Sequence, residues 1–190
     1  MPTIAALAAV AITCGSIASA QQAVPATPFP LGVQIRVVAS KPAQSSSRGN
    51  KKLQNIEITA KFANIDTRQA YEGYTATISA LGEYASETKI KKVLMQDKVT
   101  LSLPPLKTQQ QVCPEVTTSF DDVGRGKSGW TYYAWIIVVK DPQGKIVQVK
   151  SSATSLEKFT ELAAKIVVNN CYDANLKPVE DPHPQRRGNK

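Results

Sequence analysis

The chain of 190 residues contains one histidine, His183, and it sits near the C-terminus between Pro182 and Pro184. Histidine is the usual base for a serine or cysteine nucleophile, so the body of the chain offers no Ser–His or Cys–His pair. The same scarcity argues against zinc, which takes about four Cys, His or carboxylate ligands. A phosphate-binding loop is missing as well. Gly124-Arg125-Gly126-Lys127-Ser128 has the end of a P-loop without the earlier glycine in frame. Asp121-Asp122 stand beside glycines but outside any D-x-D-x-D-G calcium pattern. Carboxylates for glycoside hydrolysis exist (Glu57, Glu72, Glu83, Glu87, Glu115), yet nothing in the sequence sets two of them across a cleft. These absences lead us to expect a protein that is not an enzyme and uses no metal or other cofactor.

Charge is absent where it is most telling. Residues 1–20 carry no charged side chain, are mostly apolar and close on Ala18-Ser19-Ala20. Small residues in an A-x-A arrangement after an apolar stretch suit a signal peptidase cleft. We therefore read 1–20 as a signal peptide cut before Gln21, and the protein as exported: periplasmic, outer-membrane-associated or extracellular. The leader lacks the usual Lys or Arg. Cys14 opens a lipoprotein alternative, for which Thr13 just before it is a poor fit. Thr13, Gly15 and Ser16 interrupt the apolar stretch, and no later segment approaches the ~20 apolar residues of a membrane span.

The net charge of +8 thus belongs to the part after the leader. It favours an acidic partner: a protein, an acidic glycan or an anionic surface. Export argues against nucleic acid. The charges are scattered as doublets, Lys51-Lys52, Lys91-Lys92 and Arg186-Arg187, a pattern that suits solubility better than one binding patch. Removing the leader leaves Cys113 and Cys171, an even pair that reads as a disulfide in an oxidising compartment. Closing that loop would stabilise the fold by about 4 kcal/mol. If the protein is not exported, the pair reads as free core thiols.

Residues 21–30, with three prolines, form an extended linker. From Leu31 the alternation has period two. Val33, Ile35, Val37 and Ala39 oppose Gln34, Arg36 and Val38. Ile56, Ile58, Ala60 and Phe62 oppose Glu57, Thr59 and Lys61; Tyr74, Ala76, Ile78 and Ala80 oppose Thr75, Thr77 and Ser79. One face to a core and one to water is the mark of an antiparallel sheet. Gln96-Asp97-Lys98, between two apolar runs, reads as a tight hairpin, and Pro104-Pro105 ends strand pairing. Tyr132 to Val139 is apolar on both faces, a central strand, and Asp141-Pro142-Gln143-Gly144 turns it back into Ile146–Val149. One helix, about 155–170, is expected from Thr154 as N-cap, Glu157 completing a capping box, and an apolar face of Leu156, Phe159, Ala163 and Ile166. The tail, 174–190, is basic, Pro-containing and expected to be disordered. The fold class is mainly β: an immunoglobulin-like antiparallel β-sandwich over 31–173 with one C-terminal α-helix.

The aromatics Trp130, Tyr132, Tyr133 and Trp135 cluster at the start of the central strand. Core packing explains them most simply. The candidate binding residues are Arg125, Lys127, Trp130 and Tyr132, which would form a glycan- or lipid-binding platform if the rings face solvent. The leader ending Ala18-Ser19-Ala20, the run of strands, and the hairpin YYAWIIVVKDPQGKIVQVKSS followed by a helix together resemble the small secreted immunoglobulin-like proteins associated with type IV pilus-like gene clusters of mucus-dwelling gut bacteria. The resemblance implies an accessory secreted protein acting by protein–protein or surface contact. It brings no functional residues with it.

Overall fold

The computed structural model describes residues 31–40, 43–44, 51–121 and 127–182. The leader, the linker, Arg125 and His183 lie outside them. The fold is mainly β, and every strand pairing is antiparallel.

The first half is organised around β3 (Lys51–Asn64). On one side of it lie β1 (Leu31–Ala39) and the short β2 (Ala43–Gln44). On the other lie β6 (Thr108–Val112) and β7 (Val116–Asp121), each paired with a different stretch of β3. In the second half, β4 (Tyr71–Tyr84) runs between β5 (Glu87–Leu103) and β8 (Ser128–Lys140). Outside β8 is β9 (Ile146–Ser151); outside β5 are β10 (Cys171–Tyr172) and then β11 (Pro178–Val179). The halves are joined where Phe120 and Asp121 of β7 pair with Gly129 and Ser128 of β8. The result is one antiparallel sheet folded over on itself as a sandwich.

The period-two pattern of β3 is realised fully: Ile56, Ile58, Ala60 and Phe62 are buried while Glu57 and Lys61 are exposed. They pack across the sandwich on Ile78, Leu101, Ile137 and Val139. The second half also buries its far face. Leu81, Val93, Ile136 and Val138 are covered there by Leu156, Ala163, Ile166, Tyr172 and Leu176 of the C-terminal segment. Adjacent residues Ile136 and Ile137 point opposite ways and both are buried, which is why this strand reads as apolar throughout. The Asp141 turn forms as expected: Gly144 has φ 83°, its N–H donates to Asp141 O, and Asp141 Oδ1 accepts from the N–H groups of Gln143 and Lys145.

Four expectations are corrected. Gln96-Asp97-Lys98 is not a hairpin; it runs inside β5. Its polar groups find partners within the sheet environment, Gln96 Nε2 on Ser79 Oγ and Ile166 O, and Asp97 Oδ2 on Gln111 Nε2. The chain turns instead between Tyr84 and Glu87.

The helix expected over about 155–170 is reduced to a 3₁₀ turn, Thr154–Leu156, and one short helix, α1 (Thr160–Ala163). Thr154 is not its N-cap, and Glu157 instead accepts a hydrogen bond from Ser151 N at 2.9 Å. Further on, Asn169 takes φ 68° so that Asn169 N reaches Val93 O and Val93 N reaches Asn170 O. Docking onto β5 outweighs a helix whose interior would hold the β-branched pair Val167-Val168.

Cys113 and Cys171 are free and buried, not bonded. Cys113 follows β6 inside the sandwich beside Asp97, whereas Cys171 pairs with Lys92. Lys92 and Asp97 are five positions apart on one strand, on the order of 16 Å, where a disulfide needs Cα atoms within about 7 Å. Finally, the segment after Lys177 is ordered at its start: β11 pairs with β10, and Asp181 bridges Lys92 at 3.1 Å.

Gly129 secures the join between the halves. Its φ is 99°, and a Cβ there would lie 2.3 Å from Ser119 O. Gly129→Ala is expected to lower stability in urea unfolding by about 1–3 kcal/mol from backbone strain alone. Gly144→Ala, where a Cβ meets nothing within 4 Å, should cost less.

Candidate functional site

Of the candidate binding residues, Lys127, Trp130 and Tyr132 lie at or near the start of β8, where β7 meets it. Lys127, exposed, leads into β8. Trp130 is half-buried and paired with Tyr84 in the sheet; their rings meet edge-on at 5.1 Å and 67°. Lys92 Nζ stands 5.4 Å from the Trp130 ring centroid and is itself bridged to Asp181. Tyr132 turns elsewhere. Its ring packs against the inner core, its N–H donates to Gln54 Oε1 at 3.0 Å, and burial pushes its phenol up despite a hydrogen bond with Ser152 that acts the other way. The structure therefore puts Lys127 and Trp130 at one end with Lys92 and Tyr84, and directs Tyr132 inward; Arg125 lies outside the described residues.

A register shift separates Tyr132, opposite Gly82, from Ala134, opposite Leu81. The extra residue, Tyr133, packs on the far face of the second half. There its ring lies under Lys91, with Nζ 3.6 Å from the centroid. Lys91 is only 5% exposed, and its ammonium is satisfied by Glu83 Oε2 at 3.0 Å and by Thr88 O. The doublet Lys91-Lys92, scattered charge in the sequence, thus works on two faces: one lysine pins the β4–β5 turn, the other braces Trp130. Strand alternation in an ordered sheet edge is the signal that could have separated them.

Neither thiol suits nucleophilic work. Burial, with Asp97 alongside, pushes the Cys113 thiol up to about 12. Burial raises that of Cys171 too, helped by Asp181 and opposed by Lys92. Among the described residues no group of three or more His, Cys, Asp or Glu is placed to hold a metal ion, and no helix is long and apolar enough to cross a membrane.

A different surface was missed in the sequence: the outer face of the first half. Paired rows cross it, Gln34–Lys61–Gln110, Arg36–Thr59–Val112, Asn55–Thr117 and Leu53–Ser119. No described element covers it, and Val112, Val38 and Leu53 stand 66%, 46% and 38% exposed. Apolar residues on an outward strand position look like core when read alone. Their parity with Gln34, Arg36 and Asn55 is the available clue.

No family model matches the chain, and no curated protein does. Solved structures give weak likenesses. A Northeast Structural Genomics Consortium target is 13% identical, with 64% of this chain and 85% of that one covered, at TM-score 0.34. A structure from Akkermansia muciniphila is 19% identical, with 67% and 75% covered, at TM-score 0.30. A β-glucosidase from Kluyveromyces marxianus is 14% identical, with 63% of this chain but 14% of the enzyme covered, at TM-score 0.24. At scores this low they carry no argument about function.

Two outcomes are expected. Lys91→Ala leaves Glu83 without its partner and Tyr133 without its cover, and should cost roughly 1–3 kcal/mol in urea unfolding, whereas Lys127→Ala should stay within about 0.5 kcal/mol. Cys113 and Cys171 should resist a thiol reagent in the native protein and react together once urea unfolds it.

Proposed function

We propose that this is an exported, non-enzymatic β-sandwich protein that acts through protein–protein or surface contact, as an accessory or adhesion component at a cell surface or pilus. The observation that carries the reading is an asymmetry of cover. In the second half, β8 and the middle of β4 and β5 are buried on both faces, while no described element covers the outer face of the first half. That face is rich in Gln, Thr and Asn and dotted with exposed Val38, Leu53 and Val112. Such a surface suits contact with another macromolecule, since small-molecule turnover wants a concave site. The leader ending Ala18-Ser19-Ala20 supports export, and the resemblance to pilus-associated secreted proteins supports the setting.

A second reading rests on the Trp130 end, where a half-exposed ring, Lys92 and Lys127 could take an acidic glycan or anionic lipid headgroup. Against it, Lys92 is already engaged by Asp181.

Mass spectrometry of cell fractions and binding of the labelled protein to intact producing cells test both. A species starting at Gln21 in an exported fraction is expected. Binding should fall about tenfold, the equivalent of 1.4 kcal/mol, when Thr59→Glu and Val112→Glu are combined, and should hold with Trp130→Ala. The reverse ranking would favour the glycan or lipid reading. A full-length cytosolic species, or no association with cells, would end the proposal.

A further inference from the structure

The backbone of β1 faces two ways, and hydrogen bonds fix which residue faces which. Ser40 N donates to Asn55 O of β3, while Leu31 O turns away from β3 and accepts from Gln148 Nε2. Groups alternate along a strand, so Gln34, Arg36 and Val38 bond to β3 and Val33, Ile35, Val37 and Ala39 turn their N–H and C=O outward. Among the described residues no strand pairs with that outer side. The side chains of Val33, Ile35 and Val37 pack against the core and remain only half-buried.

Three other borders of the sheet are guarded. Along the open side of β5, Gln109 accepts from Ser102 N and donates to Thr100 O, each at 3.0 Å, and Gln111 reaches Asp97. β11 opens on Pro178. β9 is short, has a register shift and ends with Ser151 N on the Glu157 carboxylate. In contrast β1 runs nine residues with no proline and no register shift, the kind of edge that invites another strand.

We propose that β1 is the interface of a homodimer, in which the β1 edge of a second copy pairs with it antiparallel about a twofold axis at Ile35. The outward groups must meet odd with odd, and pairing the whole strand, Leu31 opposite Ala39, then sets Ile35 opposite Ile35 and Val33 opposite Val37. The strand is self-complementary in this register. β-branched side chains meet on the inner face, and on the outer face Val38 falls opposite Gly32. Charge points to the same occupant. In a chain of net charge +8, β1 has Arg36 as its one charged side chain, and this register sets Arg36 opposite neutral Gln34, so no like charges are directly opposed. An acidic strand from another protein would find a single cation here to recognise. Pairing of one edge buries less than a permanent interface, so the dimer is concentration-dependent. It would also make the two bare faces continuous, although it stands or falls separately from the function proposed above.

Sedimentation of the protein over rising concentration, with amide hydrogen exchange, tests this. A monomer–dimer equilibrium is expected, and the amides of Ile35 and Val37 should gain protection with concentration while those of Gln34 and Arg36 are protected throughout. Gln34→Lys, which sets lysine opposite Arg36 twice per dimer, should weaken association roughly 2- to 30-fold; Gln34→Glu should strengthen it, and salt should shrink both effects. Lys61 flanks Gln34 within the chain, so a thermal melt of each variant separates loss of fold from loss of pairing. A strict monomer, or a dimer indifferent to both substitutions and without protection at Ile35 and Val37, overturns the proposal. A dimer that fails to bind cells leaves it standing.

Discussion

The structure depends on burying both faces of the β4–β5–β8 layer. Once Ile136 and Ile137 both point into apolar surroundings, the layer needs two covers. The first half of the sheet supplies one and the C-terminal segment the other. Everything else serves this requirement. The join at Gly129 swings the first half over the inner face, and only glycine tolerates both the φ of 99° and the approach of Ser119 O. The C-terminal segment gives up a long helix to pass Leu156, Ala163, Ile166 and Leu176 across the outer face and tie its backbone to Val93.

Polar groups are placed where the layers meet. Asn64, 2% exposed, donates to the carbonyls of Gln69, Leu103 and Pro104 and accepts from Asp66 N, so it binds the β3–β4 turn to the end of β5. Gln109 and Gln111 span from β6 to β5 with side chains in place of a backbone ladder. Lys91 closes the β4–β5 turn with Glu83 over Tyr133. Left unsatisfied, the buried groups among them, Asn64 and Lys91, would each cost on the order of 1–3 kcal/mol, which helps specify one way for the halves to meet.

Among the described residues, nothing is built over the outer face of the first half or paired to the outer edge of β1. One is polar with isolated apolar side chains, and the other is a row of backbone groups. Neither is a cleft. Both suit contact between large partners, which is the common ground of the proposed function and the proposed dimer.

The sequence by itself determined the strands, because period-two alternation is a local property: β1, β3 and β4, the stop at Pro104-Pro105 and the Asp141–Gly144 turn were all legible. It also determined the two-sided burial of β8 from its unbroken apolar run. The tertiary structure decided what depends on partners distant in the chain. Gln96 and Asp97 look like a turn until Ser79, Ile166 and Gln111 stand beside them. Residues 155–170 have helical periodicity, but β5 offers Asn169 and Asn170 better hydrogen bonds. Two cysteines suggest a bond until their separation along β5 is known. Of the candidate site, Trp130 beside Lys127 could be read from adjacency. The inward turn of Tyr132 and the division of Lys91 from Lys92 could not, because a register shift in the β4–β8 ladder and the alternation of an unrecognised strand set which way each side chain points.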